Sequence, residues 1–211
     1  MMIKILIADD HAIVREGLKQ IVADTSDMVV AGEAVDGQEV LEQVRKEDWD
    51  LILLDISMPG RGGIDTLKEL KIEKPKLPVL VLSMHPEEQY AVRALKAGAS
   101  GYLTKESAPE ELIEAIRKVS QGRKYISAAL AESLAFHVGA NSEHPLHETL
   151  SNREYQVMCM IASGKTVKEI ANDLSLSVKT ISTNRVRALR KMGMKNNAEM
   201  TYYAIKHGLV K

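Results

Sequence analysis

Five short apolar runs, each trailed by a helical pattern, fill the first 121 residues and leave few folds open. Ile3–Ala8 (IKILIA), Met28–Gly32, Asp50–Leu54 (DLILL) and Val79–Leu82 (VLVL) read as buried strands, and Ser100–Thr104 (SGYLT) as a weaker fifth. Between them, apolar residues recur at helical spacing. Ile13, Gly17, Leu18, Ile21 and Val22 share one face, Val40, Leu41 and Val44 another, and Ile64, Leu67 and Leu70 a third. Ala91, Val92 and Leu95 suggest a fourth helix. Leu112, Ile113, Ile116 and Val119 mark a fifth, with Pro109 near its first turn. Strands that are apolar without interruption are covered on both faces, which implies a parallel sheet between helices. Right-handed crossovers then favour a doubly wound, five-stranded parallel α/β domain.

In such sheets, functional groups gather at the carboxyl ends of the strands, near the point where strand order reverses. The residues standing there are Asp9 and Asp10, Asp55, Ser83 and Lys105. Taken singly, each has an ordinary explanation. Asp10 would cap a helix, Asp55 would lead into the Met58-Pro59-Gly60 turn, Ser83 would cap the next helix, and Lys105 would be a solvated charge. Together they are three carboxylates, a hydroxyl and an ammonium on one edge. Clustered carboxylates repel, so their ionised forms call for a cation. Oxygen donors suit Mg2+, which keeps several waters and accepts phosphate oxygens. A hydroxyl and a lone ammonium opposite the metal would complete a phosphoryl-binding site.

Charge divides the chain. Residues 1–122 carry 15 basic and 22 acidic side chains, a net of −7, whereas residues 150–211 carry 11 and 4, a net of +7. That contrast is hard to place in one domain, and the basic part suits a polyanion. The expected organisation is a first domain over 1–121, a linker over 122–149 and a second domain over 150–211. Within the linker, Ala128–Val138 has helical propensity and Gly139–Glu148 is turn-rich. Aromatic residues make up 4% of the chain, which argues against stacking on single-stranded bases as its main activity. No apolar run reaches the roughly 18 residues of a membrane span, and the N-terminus lacks the pattern of a signal peptide. The single cysteine, Cys159, fits a reducing cytoplasm. The six histidines lack metal-ligand spacing, and no GxxxxGK[ST] phosphate loop is present.

Capping boxes punctuate the basic region. Ser151-Asn152-Arg153-Glu154 opens a helix stopped by Gly164, Thr166-Val167-Lys168-Glu169 opens one ending near Leu174, and Asn196-Asn197-Ala198-Glu199 opens one stopped by Gly208. Ser177 caps a helix over Val178–Met192. Two of these helices joined by the Ser175-Leu176-Ser177 turn suggest a helix-turn-helix, although a small protein-binding bundle has the same parts. A helical wheel turns Ile181, Ala188 and Met192 inward, flanked by Val178 and Leu189. Lys179, Ser182, Thr183, Val186, Arg187 and Arg190 point outward. Cations for phosphates and short side chains near base edges suit a recognition helix. Thr180 and Lys191 join them as candidate DNA contacts. Met200, Tyr203 and Ile205 in the last helix are candidates for pairing two such domains.

On these residues the chain resembles a known family. Residues 3–121 are similar to the receiver domain of bacterial two-component response regulators. The resemblance is carried by Asp9-Asp10, Asp55 in LLDISMPGRGG, Ser83 in VLSMH and Lys105 in AGASGYLTK. The stretch from Leu150 to Val210 resembles the LuxR-type DNA-binding domain through LSNREYQVMCMIASGKTVKEIANDLSLSVKTIS and ALRKMGM. Together the halves look like a NarL/FixJ-type response regulator. The resemblance implies that Asp55 is the phosphoacceptor, with Ser83 and Lys105 binding the phosphoryl group and Tyr102 as the aromatic switch. It implies Mg2+ held by Asp10, Asp55 and the Ser57 carbonyl, with Asp9 reaching it directly or through water. A sensor histidine kinase would supply phosphate, and a phosphorylated homodimer would bind double-stranded promoter DNA. The sequence departs from the family pattern at Glu106, where many receivers have proline, and at Asn184-Arg185, where many members have His-Val. Arg185 is expected to pair with a carboxylate such as Glu154 or Glu169. Two other functions share much of this chemistry: a Mg-dependent phosphohydrolase with Asp55 as nucleophile, and an adaptor whose helical domain binds protein.

Overall fold

The computed structural model describes residues 2–60, 62–85, 87–127, 130–132 and 145–210. The chain forms two compact units, Met1–Ser133 and Leu134–Lys211.

In the first unit, β1 (Ile3–Ala8), β2 (Met28–Ala34), β3 (Leu51–Asp55), β4 (Val79–Ser83) and β5 (Gly101–Thr104) form one sheet in the order β2-β1-β3-β4-β5. Every pairing is parallel. Between and after the strands run α1 (Ala12–Ala23), α2 (Gly37–Lys46), α3 (Gly63–Glu73), α4 (Glu87–Lys96) and α5 (Pro109–Ser120). Three of the four runs read as buried became the inner strands β1, β3 and β4, and all of Leu51–Leu54 is fully buried, whereas Met28–Gly32 became the edge strand β2 with Val29 exposed, because an edge strand is covered less completely than an inner one. Asp55 and Ser83 are the last residues of β3 and β4 rather than the first beyond them. The chain steps outward from β1 to β2, then back past β1 to β3, so the order reverses between β1 and β3.

Two local expectations are corrected. Ile13 is 88% exposed, and α1 instead buries Leu18 and Val22, with Val14 and Ile21 packed against the core. The inward stripe therefore runs 14, 18, 21, 22: Leu18, Ile21 and Val22 face the core as expected, and Val14 takes the place of Ile13, which lies about 100° away around the helix. Asp10 caps nothing there, because the residue at the helix N-cap is His11.

The segment after α5 does not leave the domain at once. The Tyr125 N–H donates to the Ser100 carbonyl at 2.9 Å, and Gly101 and Tyr125 form an isolated parallel bridge. A Cβ on residue 101 would lie 2.8 Å from the Tyr125 carbonyl oxygen, so only glycine allows this approach. Residues 130–132 are helical, and Leu130 is buried. The rest of the helix expected over Ala128–Val138, and residues 139–144 of the turn-rich stretch, lie outside the described residues.

The second unit opens with a 3-10 turn, Leu146–Thr149, followed by α6 (Asn152–Ala162), α7 (Val167–Asp173), α8 (Val178–Lys191) and α9 (Asn197–Lys206). Ser151 and Thr166 close full capping boxes with Glu154 and Glu169. Asn196 caps α9 through the Glu199 N–H, but the Glu199 carboxylate accepts from Lys195 N–H at 2.8 Å, so that box is half formed. Ser177 caps α8. Ile170, Ile181, Ala188, Met200 and Ala204 are fully buried in this unit, and Cys159 packs among α6 core residues. Of the three residues expected to pair domains, Met200 belongs to the core and Tyr203 bonds His147, its hydroxyl 3.0 Å from Nδ1. Ile205 is exposed, and its exposed apolar neighbour is Tyr202. No helix among the described residues is long and apolar enough to cross a membrane.

Candidate functional site

β1 and β3 pair with Ala8 beside Leu54, so the next residues, Asp9 and Asp55, emerge side by side. Both are 1% exposed. Asp9 is fixed on three sides. Its N–H donates to the Ala34 carbonyl at 3.1 Å, its Oδ1 accepts from His11 N–H at 2.9 Å, and Arg15 Nη1 donates to its carbonyl at 2.8 Å. Asp55 Oδ1 accepts from Ser57 N–H at 2.8 Å. Under β3, Gly63 N–H returns to the Ile56 carbonyl at 3.2 Å, and a Cβ at residue 63 would sit 2.4 Å from the Asp55 carbonyl oxygen. The glycines of PGRGG thus let the chain double back tightly beneath the acidic residue.

Lys105 reaches the pocket by extending the β4–β5 ladder. Its N–H donates to the Ser83 carbonyl at 2.8 Å, one step beyond the Ser83–Thr104 pair. Its Nζ then bridges Asp9 Oδ2 at 2.6 Å and Asp55 Oδ2 at 2.7 Å, with 7% of the side chain exposed. It is therefore not a solvated surface charge. The Lys105–Glu106 bond is trans, as no cis peptide occurs among the described residues. Ser83 is fully buried, and its Oγ accepts from His85 N–H at 3.0 Å. Tyr102 is also fully buried, and its hydroxyl donates to the His85 carbonyl at 2.8 Å. One residue of the β4–α4 loop is thereby held at its N–H by Ser83 and at its carbonyl by Tyr102.

Burial pushes the Asp55 carboxyl above its ordinary range, against the opposing pull of Lys105 and the Ser57 N–H. Burial also disfavours the Lys105 ammonium, but Asp55 and Asp9 outweigh it and hold Lys105 above its ordinary value. Single ligand atoms of Asp9, Asp10, His11 and Asp55 lie within 4.8 Å of one another. Beside them, Ser57 Oγ is buried with no hydrogen-bond partner among the described residues. A hard divalent cation carrying waters fits this set, since it takes carboxylate and carbonyl oxygens and its waters would satisfy the hydroxyl. Sequence reasoning missed His11, whose Nδ1 lies 3.0 Å from Asp10 Oδ1 and 3.3 Å from Asp9 Oδ1. The signal was its position directly after Asp9-Asp10, which a search for histidine spacing overlooks.

In the second unit, Lys179, Ser182, Thr183, Val186, Arg187 and Arg190 line one hollow on the surface of α8. All but the half-buried Ser182 are exposed. The Thr183 hydroxyl donates back to the Lys179 carbonyl at 2.8 Å, and the Thr180 hydroxyl lies 2.8 Å from Ser177 Oγ at the cap. Lys191 lies to one side of this stripe, its Nζ 2.6 Å from the buried Glu154 carboxylate. Its charge ties α8 to α6. Arg185 does not meet Glu154 or Glu169 as expected. Its Nη1 donates to Asn197 Oδ1 at 3.0 Å, because Lys191 one turn and a half further along occupies Glu154 and the inward edge of α8 faces the start of α9.

Comparisons with known proteins agree with both halves. The response regulator receiver domain family matches residues 5–117, and the family of bacterial regulatory proteins of the luxR type matches residues 148–204. The response regulator UvrY of Escherichia coli is 36% identical over 209 residues, covering 99% of this chain and 96% of that protein. The response regulator GacA of Pseudomonas aeruginosa is 37% identical over 210 residues, covering 99% of this chain and 98% of that protein. Among solved structures, RcsB of Salmonella enterica serovar Typhimurium, bound to the rprA promoter with a phosphomimetic, superposes with a TM-score of 0.66 at 28% identity. That match covers 96% of this chain and 98% of RcsB. With its parallel five-stranded receiver, its acidic pocket and its capped helix-turn-helix, the chain belongs to the NarL/FixJ-type response regulators, phosphorylation-controlled DNA-binding transcription regulators.

Proposed function

We propose that Asp55 accepts a phosphoryl group from a sensor histidine kinase and that this modification governs how residues 150–211 bind promoter DNA. The observation that supports it best is the Lys105 ammonium set between the buried carboxylates of Asp9 and Asp55. A lysine so placed compensates part of the pocket's charge and can transfer one of its bonds to an incoming phosphoryl oxygen. In the step, one Asp55 carboxylate oxygen forms a bond to phosphorus as the bond from phosphorus to the donor imidazole nitrogen breaks. That nitrogen keeps the electron pair. Asp9, Asp10, Asp55 and the Ser57 carbonyl would hold Mg2+, which supplies charge neutralisation at the phosphoryl oxygens. The Ser83 hydroxyl donates to a second phosphoryl oxygen, and Tyr102 adjusts with the β4–α4 loop that it holds. Hydrolysis of the Asp55 phosphate in the same pocket resets the protein, so its only reaction is on itself.

In the DNA-binding half, Lys179, Thr180, Ser182 and Thr183 sit in the first turns of α8 and take base-edge or near-base positions. Val186, Arg187 and Arg190 follow along the groove wall. Lys191 contributes through Glu154 rather than through phosphate. The functional division remains a receiver over 1–121, a linker over 122–149 and a DNA-binding domain over 150–211, acting in the cytoplasm. The phosphorylated form pairs into a homodimer. Incubation with acetyl phosphate and Mg2+ tests the reading: intact-mass analysis shows one phosphoryl group on the wild type and none on Asp55→Asn. Equal labelling of the two proteins refutes the assignment, and repeated turnover of a generic phosphoester would favour a phosphohydrolase.

A further inference from the structure

Ser127 stands beyond the five-stranded core, yet its hydroxyl joins two parts of it. The Leu130 N–H donates to Ser127 Oγ at 3.1 Å, and the Ala131 N–H donates to the Ser127 carbonyl at 3.0 Å. Ser127 is therefore the N-cap of the helical residues 130–132, the last described part of the first unit. The same hydroxyl donates its proton to the carboxylate of Glu87, the first residue of α4. A serine hydroxyl carries one proton and two lone pairs, so the cap and the Glu87 bond do not compete.

Glu87 is two residues past His85, and His85 is the residue clamped by Ser83 and Tyr102. The pocket wall and the cap are thus joined by few contacts: Ser83 Oγ holds the His85 N–H, and Glu87, two positions later in the sequence, accepts from Ser127. The surrounding segment is pinned to β5 and α5 by independent bonds. Tyr125 N–H reaches Ser100, the Tyr125 hydroxyl reaches Glu111 at 2.9 Å, and Lys124 Nζ reaches the Ala99 carbonyl at 2.5 Å. The Glu87–Ser127 bond ties this pinned segment to α4, the helix that follows the phosphoryl-facing loop.

We propose that Glu87 and Ser127 form a positioning pair that carries the state of Ser83 to the chain leaving the receiver. The inference rests on the reading that Asp55 is phosphorylated and that Ser83 turns to its phosphoryl group. When Ser83 Oγ moves towards a phosphoryl oxygen, the His85 N–H that it holds follows or lets go. Either response displaces the start of α4 and draws Glu87 away from Ser127. The helical residues 130–132 are then released from α4 while Tyr125 stays fixed beside β5, so the change is read at Leu130 and Ala131.

Three measurements on the full chain, with and without acetyl phosphate and Mg2+, test this: Asp55 labelling, amide exchange at Leu130 and Ala131, and duplex binding. In the wild type, phosphorylation speeds exchange at both amides about fivefold, the population change expected when a serine-capped turn loosens. Glu87→Ala leaves the cap chemically intact and breaks only the link. It takes the Asp55 label as the wild type does, yet its exchange, already fast because the link is absent, no longer responds to the label and its DNA binding no longer rises with it. Ser127→Ala behaves likewise, with fast exchange from the start, and Ser127→Thr restores the response. A Glu87→Ala protein that responds like the wild type overturns the proposal, because a purely structural cap would give that result. A labelled wild type with unchanged exchange overturns it alone, whereas a wild type that takes no label removes the reading of Asp55 and the proposal with it.

Discussion

Lys105 holds two carboxylates at once, at 2.6 Å from Asp9 and 2.7 Å from Asp55, and all three of these side chains are almost wholly buried. Removing it leaves two buried acids facing each other, so Lys105→Ala is expected to destabilise the receiver by roughly 3 kcal/mol. Adding Asp55→Asn recovers part of that loss, because the second change removes one of the stranded charges. Denaturant unfolding of the single and double variants measures both effects, and additive losses would contradict the pairing. Lys105→Ala also keeps its affinity for duplex DNA but loses the response of that affinity to acetyl phosphate. This separation follows from geometry, since Asp9, Asp55 and Ser83, the partners of Lys105 among the described residues, all lie within the first unit. His11 and Tyr102 belong to the same neighbourhood for different reasons. His11 is brought there by its place after Asp10, and Tyr102 by a hydroxyl that reaches the loop from β5.

Among the elements, α8 presents a stripe whose parts have separable tasks. Thr183 spends its hydroxyl proton on the Lys179 carbonyl, which leaves its methyl as the group offered outward. Thr183→Ala and Lys179→Ala are expected to change which duplexes are selected from a random pool, by roughly 1–3 kcal/mol per lost base contact. Arg187→Ala and Arg190→Ala instead weaken binding to all sequences and lower the salt slope by about one each. Selection and salt titration on the four variants distinguish these outcomes, and unchanged preferences for Thr183→Ala remove it from the reading set. At the other end of the domain, α6 depends on Glu154. Burial works against its charge, but Lys191 and the Ser151 donors hold its carboxyl below the usual range. Its folded value lies below the unfolded one, so its contribution is complete above about pH 4.5 and is lost as pH falls through the folded value. Glu154→Gln should flatten the acid limb of the domain's stability, and Ser151→Ala should cost about 1 kcal/mol at neutral pH. Thermal unfolding across the acid range checks both.

For the whole molecule, the proposed homodimer would pair two recognition helices, and these require paired half-sites. Phosphorylated protein is expected to protect a roughly palindromic site with half-site centres about one helical turn apart, and Asp55→Asn to protect it only at higher concentration. Footprinting decides, and protection of a single half-site by the phosphorylated form would argue against the dimer. Much of this organisation was legible without coordinates, because it is written in short-range patterns. Buried parallel strands are continuous apolar runs, and right-handed crossovers carry their carboxyl ends to one edge, so Asp9, Asp55, Ser83 and Lys105 could be gathered from their positions alone. Helix caps sit within one turn, which is why Ser151, Thr166 and Ser177 were readable. Other features depend on how elements rest on one another. The choice of Val14 over Ile13 for the inward face of α1, the pairing of Lys191 rather than Arg185 with Glu154, and the packing of Tyr125 on β5 all follow from helix and segment placement. Glu87 and Ser127 are 40 residues apart, and no local rule connects them. The sequence by itself determined the strands, most of the caps and which residues stand at the strand ends, because each is decided by neighbours within a few residues. Only the tertiary structure decided which distant side chains meet, because a contact between elements depends on packing angles and register that no single segment contains.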